Sequence, residues 1–446
     1  MKHLSVLFAI VAALSTIAPA TSHADEFSPD SIIRITKRVA NYHMKSGPIY
    51  PNTWDGGAYL TGVMAMYRLT KDPAYLNFAK QWAVKFRWLP AVTPLTTVAD
   101  DICCFQTYCE IYGLDPRPEN DSMIANVRVN LENLFYVVKP PQPRTLWSWD
   151  DALYMAPAAV SRYCSAIKNN AFIDSLNRYW WDVSASLYDT AYHLWYRDGG
   201  FKSQKAANGQ PLFWSCGVAW VMGGMTRVLQ DIPLNHPQRD KWLTQFREMS
   251  AAIKAEQGFN ALYSGLWTTS MRDHTQWPDP ETSASSFFCF GMAWGINNRV
   301  LDSAQYIGCV RSAWRDLAKN VGSDGRLQRC QTVNWQPDNI NVSNSSVEGE
   351  AAFMLAGEEM WKLASGETVA IQKALLAVQS RRDALKPLMI KVGRMGAVEF
   401  PPDVRGVEIF NIQGKRISGY EATHGARMLI QNYLSKNSIY VVRYTR

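Results

Sequence analysis

The stretch GGAYLTGVMAMY, residues 56–67, contains no charged side chain and mixes small residues with bulky apolar ones. The stretch CGVAWVMGGM, residues 216–225, has the same character. A helix that is apolar on most of its faces is buried on most of them. Small residues let neighbouring backbones approach closely. Both stretches therefore predict helices that are surrounded by other helices.

Outward from these two stretches, hydrophobic periodicity predicts twelve helices before residue 365. The even-numbered ones are poor in Lys and Arg, whereas the odd-numbered ones are amphipathic, as in PQRDKWL at 237–243. Six buried helices that alternate with six half-exposed ones indicate an inner ring inside an outer ring. The predicted fold is all-α, an (α/α)6 barrel of six helical hairpins with a small C-terminal β appendage. The predicted helices lie near residues 30–45, 55–69, 73–87, 99–113, 118–136, 149–165, 171–190, 213–230, 236–256, 281–297, 303–321 and 347–364.

The two ends of the chain differ from this helical part. Residues 1–24 combine a positive start, a short apolar run and a small-residue cleavage site, which is typical of a signal peptide. The expected location is therefore secreted or periplasmic. Residues 25–385 are predicted to form the barrel. In residues 386–446 short alternating runs such as VEIFNI at 407–412 replace the helical period, which predicts a small β domain.

Composition narrows the classes of function. The chain has 17 Trp, 20 Tyr and 17 Phe, and such rings line carbohydrate clefts as well as cores. The net charge of +7 favours an anionic ligand, but no basic run is interleaved with aromatics, so nucleic-acid binding is not expected. No run after the signal is apolar enough to span a membrane. The eight cysteines are read mainly as buried small hydrophobes, with a disulfide or two left open, and no metal site or cofactor is expected.

Acidic residues stand at the start of most predicted inner helices. In a ring of parallel inner helices, these ends and several tryptophans would converge on one mouth. The alternative is that these acids only stabilise the helix starts, because Asp is a preferred N-cap and acids in the first turn complement the helix dipole. The residues concerned are Asp55, Asp100, Asp101, Asp150, Asp151, Asp279, Glu281, Glu348 and Glu350, with Trp54, Trp149, Trp214 and Trp267.

The pair Asp150-Asp151 lies between Trp147, Trp149 and Tyr154 at a predicted helix start. Asp150 is the natural N-cap, which leaves Asp151 as the candidate general acid. The helix dipole lowers a carboxyl pKa, whereas apolar rings and a second carboxylate raise it. No Ser-His-Asp arrangement and no phosphate-binding glycine loop is apparent, so carboxylate acid/base chemistry is the best enzymatic interpretation.

Several motifs in order resemble the unsaturated glycuronyl (rhamnogalacturonyl) hydrolases of glycoside hydrolase family 105, which is related to family 88. The resemblance covers most of residues 30–365. The motifs are ADD at 99–101, WDDALYMAP at 149–157, LWYRD at 194–198, the stretch from Phe213-Trp214 to Trp220, PETS at 280–283 and GEAAF at 349–353.

This resemblance implies hydrolysis through hydration of a 4,5-unsaturated uronate at the non-reducing end of an anionic oligosaccharide, without a metal. It implies that Asp151 is the acid/base and that Asp100 or Asp101 orients substrate or water. The implied substrate-binding residues are Trp149, Tyr154, Arg197, Trp214, Trp220 and Glu281.

One motif departs from the family. Its R-G-N-G-W appears here as CGVAW at 216–220, so the Arg that could pair with a uronate carboxylate is absent. Cys216 cannot replace a guanidinium, and Arg197 or Lys202 is the candidate substitute. Two alternatives therefore stay open: another (α/α)6 carbohydrate enzyme, or a catalytically silent or altered-specificity sugar-binding protein. The β region resembles the C-terminal sorting domain of type IX secretion, with a barrel-capping sandwich as the alternative.

Overall fold

The computed structural model describes residues 25–46, 50–93, 95–260 and 262–366, with strand residues 397–399, 406–411, 416–421, 427–429 and 440–445. The predicted signal peptide, residues 1–24, lies outside the described residues. So does the predicted domain boundary at 385/386, because residues 367–396 are not described. Contacts cluster the chain into two units, Met1–Val369 and Ala370–Arg446.

The helical unit contains twelve α-helices among its described residues, as the sequence predicts. Each odd-numbered helix is followed by an even-numbered one to give six hairpins. Their bounds are α1 Pro29–Ser46, α2 Trp54–Thr70, α3 Pro73–Lys85, α4 Phe105–Leu114, α5 Ser122–Glu132, α6 Ala152–Ala166, α7 Ile173–Leu187, α8 Ser215–Asp231, α9 Arg239–Ala255, α10 Thr282–Asn297, α11 Ser303–Lys319 and α12 Val347–Ser365.

The even-numbered helices form a closed inner ring. α2 packs on α4, α4 on α6, α6 on α8, α8 on α10, α10 on α12, and α12 again on α2. The odd-numbered helices pack against the outside of this ring, since their helix partners are even-numbered. All sixteen residues of α10 are buried, which explains why its sequence has no polar stripe. The predicted (α/α)6 barrel is confirmed.

Close backbone approach explains the small residues of the inner helices. A Cβ on Gly62 of α2 would lie 2.7 Å from the Cα of Ala351 in α12. A Cβ on Gly224 of α8 would lie 2.1 Å from the carbonyl oxygen of Leu153 in α6. Real Cβ atoms do not approach so closely, so only glycine lets these helices pack at this separation.

Some predicted helix bounds differ from the structure. The predicted helix 118–136 is a 3-10 turn at Pro118–Asn120, then α5, then a π-helical segment at Asn133–Val138. The predicted helix 149–165 begins only at Ala152, because Trp149 instead forms a β-bridge with Asp198. The predicted start at 99 is a 3-10 turn, Asp100–Ile102, ahead of α4.

Two short antiparallel hairpins lie among the helices and help to position the site. The strands β1 Tyr188–Asp189 and β2 Leu194–Trp195 pair just before Arg197. The strands β3 Trp267–Thr268 and β4 Pro280–Glu281 pair just before α10. Further 3-10 turns lie at Pro143–Thr145 and Gly199–Ser203.

The second unit contains β-strands, as its sequence predicts. β5 Ala397–Glu399 pairs antiparallel with β8 Arg427–Leu429. β6 Gly406–Asn411 lies between β7 Arg416–Glu421 and β9 Tyr440–Thr445, and both pairings are antiparallel. The sequence RISGYE of β7 has no regular apolar alternation, and its strand was not predicted.

All eight cysteines lie in the described part of the chain, where each is buried and unpaired. Their interpretation as small hydrophobic residues is confirmed, and the open possibility of a disulfide is not realised. Among the described residues, we find no helix with the length and hydropathy needed to cross a bilayer.

Candidate active site

A cavity of about 200 Å³ opens where the inner helices begin. It receives side chains from the N-terminal ends of α2, α6, α8, α10 and α12, and from the 3-10 turn before α4. The convergence that the sequence predicts is therefore present. The lining residues are Trp54, Asp100, Trp149, Asp151, Met155, Arg197, Trp214, Cys216, Ala219, Trp220, Ser283, Ala284, Phe287, Gln331, Thr332, Val333, Asn334, Trp335 and Glu348.

Asp151 lies at the N-cap position of α6, but its side chain accepts no capping hydrogen bond. Its Oδ1 is buried without a hydrogen-bond partner. Burial raises the pKa of Asp151 to about 7; Arg197 opposes this shift and the charge of Asp100 adds to it. A carboxyl with a pKa near neutrality can hold a proton and still release it, which is what a general acid needs.

Asp150 does not act as the predicted N-cap. The backbone N–H of Asp150 donates to the carbonyl of Arg197 at 2.8 Å, so its backbone is tied to the loop that follows β2. Its side chain is fully buried and caps no helix N–H. The split into a structural cap and a catalytic acid therefore fails for Asp150, although Asp151 does line the cavity.

Of the two acids before α4, only Asp100 lines the cavity. Burial raises the pKa of Asp100 to about 6; Asp101 adds to the shift and Arg197 opposes it. Asp101 instead accepts a hydrogen bond from the Thr96 hydroxyl at 2.6 Å. The structure thus brings Asp100, and not Asp101, together with Asp151.

Among the described residues that line the cavity, Arg197 carries the only positive charge. Its Nη1 donates to Asp198 at 2.6 Å, and its buried Nε has no partner in the described structure. Lys202 does not line the cavity, and its Nζ donates to the carbonyl of Ser186 at 3.0 Å. Of the two cations that the sequence offers as substitutes, Arg197 is the one at the site.

Three predicted tryptophans form the walls of the cavity. Trp149 is half-buried, whereas Trp214 and Trp220 are buried with one face on the cavity. Trp54 meets Trp220 edge to face, with ring centroids 6.2 Å apart. Trp267 does not join them, because it is buried and donates from Nε1 to the carbonyl of Ile253 at 2.7 Å.

Two residues predicted to bind substrate lie behind the lining instead. The Tyr154 ring is fully buried against Trp220 and Phe287, and its hydroxyl is hydrogen-bonded to Thr61 at 2.8 Å. Glu281 is the N-cap of α10 and accepts from the backbone N–H groups of Ser283 and Ala284. Neither side chain lines the cavity, so both support residues that do.

Sequence reasoning missed the segment Gln331–Trp335, which lies between α11 and α12. The backbone N–H of Gln331 donates to Glu281 at 3.0 Å, and its side-chain oxygen accepts from Trp214 Nε1 at 2.8 Å. Trp335 lines the cavity while 63% of its surface is exposed. The one signal in the sequence is a tryptophan within the mostly polar stretch CQTVNWQPDN at 330–339. Periodicity cannot show which loop folds over a site.

Glu348 was noted in the sequence only as an acid at a helix start, yet it lines the cavity from the first turn of α12. Burial raises its pKa to about 7. Cys216 also lines the cavity and donates to the Gln331 side-chain oxygen at 3.2 Å. No cluster of three or more His, Cys, Asp or Glu side chains suited to a metal is found within the described residues.

A ring of six helical hairpins with acids and tryptophans at one mouth is the architecture of the helical-hairpin glycosyl hydrolases. The model of Glycosyl Hydrolase Family 88 matches residues 30–364. The chain therefore belongs to glycosyl hydrolase family 88, and it is a glycoside hydrolase.

A relative from Formosa agariphila, named unsaturated 3S-rhamnoglycuronyl hydrolase, is 30% identical over 327 residues, covering 70% of this chain and 85% of that protein. A family 88 glycosyl hydrolase from Bacteroides vulgatus superimposes with a TM-score of 0.70 at 29% identity, covering 75% of this chain and 99% of that one. A structure named as a polysaccharide lyase has a TM-score of 0.69 at 31% identity, covering 75% and 98%.

The finer resemblance to family 105 is not confirmed, because the matching model is that of family 88. A possible family 105 member from Salmonella enterica superimposes with a TM-score of 0.61 at 17% identity, which shows a common fold alone. The coarser prediction, a glycoside hydrolase of the unsaturated glycuronyl type, is supported by the family and by its named relatives.

Proposed function

We propose that the chain releases a 4,5-unsaturated uronic acid from the non-reducing end of lyase-generated oligosaccharides, with Asp151 as general acid and base. The observation that carries this proposal is the state of Asp151, which faces the cavity, has a buried oxygen without a partner and has a pKa of about 7. A capping or ion-paired aspartate would instead be held as a carboxylate.

In the proposed reaction Asp151 transfers its proton to C4 of the double bond, and positive charge develops at C5 and the ring oxygen. Water adds its oxygen at C5, and the proton that it loses returns to Asp151. The hemiketal formed at C5 then opens by breaking the bond between C5 and the ring oxygen, which leaves a ketone at C5 and a hemiacetal at C1. The hemiacetal collapses to an aldehyde and releases the next sugar as an alcohol. Hydration consumes one water and regenerates the acid, so the chemistry needs no redox partner.

Asp100 is the proposed second carboxylate. It lies at the same cavity and shares Arg197 as the nearest counter-charge with Asp151. With a pKa of about 6 it is largely ionised when Asp151 is still largely protonated. Two acids with separated pKa values can divide the roles of orienting base and proton donor.

Arg197 is the proposed partner of the uronate carboxylate, in place of the Arg that Cys216 replaces. Its Nε is free to donate in the described structure, and a guanidinium–carboxylate contact is strong in a sheltered site. Trp335 is the proposed platform for the sugar that follows, because a sugar C–H face can stack on an exposed ring.

An altered-specificity or silent binding protein is the second candidate, and the contact of Cys216 with Gln331 favours it. Where a guanidinium could bind a carboxylate, the cavity wall here is formed by the Cys216 thiol and the Gln331 amide.

For the location we propose that residues 1–24 direct export and that residues 386–446 act in sorting. Blotting culture fractions for the mature chain tests both proposals.

The test is ultraviolet absorbance, because hydration destroys the conjugated enol ether of the unsaturated uronate. Wild-type protein should lower the absorbance of lyase-generated disaccharides, and Asp151→Asn should not. Binding seen by calorimetry without a loss of absorbance supports the silent candidate. A rise in absorbance with intact polysaccharide would instead show lyase activity and would overturn the proposal.

A further inference from the structure

A buried chain of hydrogen bonds runs through the interior of the inner ring. Arg227 of α8 and Gln106 of α4 are both fully buried. Arg227 Nε donates to Gln106 Oε1 at 2.6 Å. Gln106 Nε2 in turn donates to the carbonyl of Tyr154 at 3.1 Å and to that of Met155 at 3.3 Å. The chain therefore joins three inner helices and ends on the first turn of α6.

Arg227 determines which way the Gln106 amide faces. A guanidinium carries only donors, so the amide atom that it contacts is the oxygen. The amide nitrogen then faces α6, where two carbonyl oxygens accept its hydrogens. Arg227 is itself held by Glu110, to which its Nη2 donates at 2.6 Å. The donor side of Gln106 is therefore fixed toward α6.

The start of α6 needs support from a neighbouring helix, because Pro157 lies inside α6. Proline has no N–H, so Pro157 cannot donate to the carbonyl of Leu153 as a regular helical residue would. One of the bonds that tie the first turn to the remainder of the helix is therefore missing. Gln106 supplies two bonds to the next carbonyls, those of Tyr154 and Met155, and so restrains the turn from α4.

The turn that Gln106 holds also carries the proposed acid. The Tyr154 N–H donates to the Asp151 carbonyl at 3.0 Å, so the peptide groups of Tyr154 connect Gln106 with the Asp151 backbone. The Asp151 side chain accepts no capping hydrogen bond, and its buried Oδ1 has no partner in the described structure. The direction of this carboxyl therefore depends on the backbone of the turn.

We propose that Gln106 is a positioning residue, which fixes the first turn of α6 and thereby aims the Asp151 carboxyl at C4 of the substrate. The proposal rests on the proposed function, in which Asp151 is the acid. Gln106 does not line the cavity, so it acts on the reaction only through this turn. A misplacement of a reacting group by about 1 Å can lower a rate about 100-fold.

The test is the steady-state turnover of Gln106→Met on an unsaturated disaccharide. The change keeps the length of the side chain and removes its donor. Per folded molecule, it should lower kcat about 10- to 100-fold and leave KM within about twofold, because the acid acts in the chemical step.

The matched control is Gln245→Met on the outer helix α9. Gln245 is also a buried amide that bridges two helices, since it accepts from Trp180 Nε1 at 2.8 Å and donates to Ser184 Oγ at 3.4 Å. Both of these partners lie on α7, away from the cavity lining. Gln245→Met should therefore keep the wild-type kcat and KM per folded molecule.

A merely structural role predicts that both variants lose stability while kcat per folded molecule stays at the wild-type value. Gln106→Leu is the second variant, for the case that Met is not accommodated. The proposal is overturned if the folded Gln106 variants keep kcat, or if Gln245→Met lowers kcat as much, while Asp151→Asn has lost turnover. The proposed function then stands.

If wild type shows no turnover, the proposed function fails and backbone hydrogen exchange decides about Gln106. Gln106→Met should speed the exchange of the peptide that spans residues 151–157, because the first turn of α6 then opens more readily. Gln245→Met should not change the exchange of this peptide. Exchange that is equally slow in wild type and Gln106→Met contradicts the positioning role.

Discussion

Both ends of the inner ring contain buried acids, but the two ends differ in how many cations contact those acids. At the far end, toward the C-termini of the inner helices, each carboxylate meets cations. Glu110 of α4 contacts Arg68, Arg162 and Arg227, and Glu358 of α12 contacts Arg68. At the cavity end, Asp100, Asp151 and Glu348 have Arg197 as the one cation among the lining residues.

The pKa values of Glu110 and Glu358 express this difference, whereas at Asp231 of α8 burial outweighs Arg162 and raises the pKa. Burial alone would raise the pKa of Glu110, but Arg68, Arg162 and Arg227 outweigh it and lower the value to about 2. Arg68 and Lys362 likewise outweigh burial and lower the pKa of Glu358 to about 2. At the cavity end burial prevails, and the pKa of Asp151 is raised to about 7. Paired acids hold the ring together, whereas unpaired ones remain able to exchange protons.

Glu110→Gln is expected to have the largest effect on stability. Arg227 is fully buried and donates to Glu110 at 2.6 Å, so the change would leave a buried guanidinium without its counter-charge. Breaking a buried pair in this way costs about 3–5 kcal/mol. Chemical denaturation should show the loss, and Glu348→Gln at the cavity end is the matched control. An equal loss in both variants would erase the contrast between the two ends.

The pH dependence of unfolding should follow the cavity end. Asp100, Asp151 and Glu348 have pKa values of about 6, 7 and 7, above those of an unfolded chain. The folded protein binds these protons more tightly, so their contribution is complete below about pH 4 and is lost as the pH rises through 6 to 7. The free energy of unfolding should therefore be lower at pH 8 than at pH 5, by on the order of a few kcal/mol.

The control for this pH effect is a triple variant with Asn at 100 and 151 and Gln at 348. Denaturant titrations of the triple variant should show a smaller decrease between pH 5 and pH 8 than wild type shows. A decrease of the same size would mean that other groups carry the dependence.

Gly217→Ala should destabilise the chain by overpacking. The added methyl would lie 2.1 Å from Asp150 Oδ2, and Asp150 is held by its backbone bond to Arg197. Overpacking a tight site costs about 1–3 kcal/mol. The double variant with Asp150→Ala gives the methyl room and should recover part of the loss. Thermal unfolding that is unchanged in the single variant would contradict this contact.

Trp335→Ala should have the smallest effect, and it should be on binding. The ring is largely exposed at the cavity, so its removal leaves the fold intact. An aromatic stacking contact contributes about 0.5–1.5 kcal/mol, which raises KM by up to about tenfold while kcat stays near wild type. Val342→Ala, an exposed residue of the same segment between α11 and α12 that does not line the cavity, is the control. Unchanged KM for disaccharide and longer substrates alike would remove Trp335 from the sugar platform.

Most of the fold was predictable because buried and half-exposed helices differ in composition: the buried ones are poor in Lys and Arg, and the half-exposed ones are amphipathic. The alternation of stretches such as 56–67 with charged amphipathic ones is enough to give twelve helices and two rings. Bounds failed where long-range contacts decide them. Trp149 pairs with Asp198, almost fifty residues away, and so delays the start of α6.

The site was predictable where a helix start carries it, and unpredictable where a loop does. Asp100, Asp151, Trp214 and Trp220 lie at or near helix starts, and the closed ring brings them together. The position of Gln331 depends on hydrogen bonds to Glu281 and Trp214, which no local pattern reveals. Glu281 was predicted to touch substrate, but in the structure it anchors that loop by accepting the hydrogen bond from the Gln331 N–H.

The most direct test of the central claim is the turnover of Asp151→Asn per folded molecule, measured as the rate of absorbance loss from an unsaturated disaccharide. Removing an unpaired acid should cost no stability, whereas removing the general acid should lower kcat by about 10²–10⁴-fold. The variant should lose turnover by that factor and should melt no lower than wild type. Turnover that persists, or that falls only in proportion to the unfolded fraction, would contradict it.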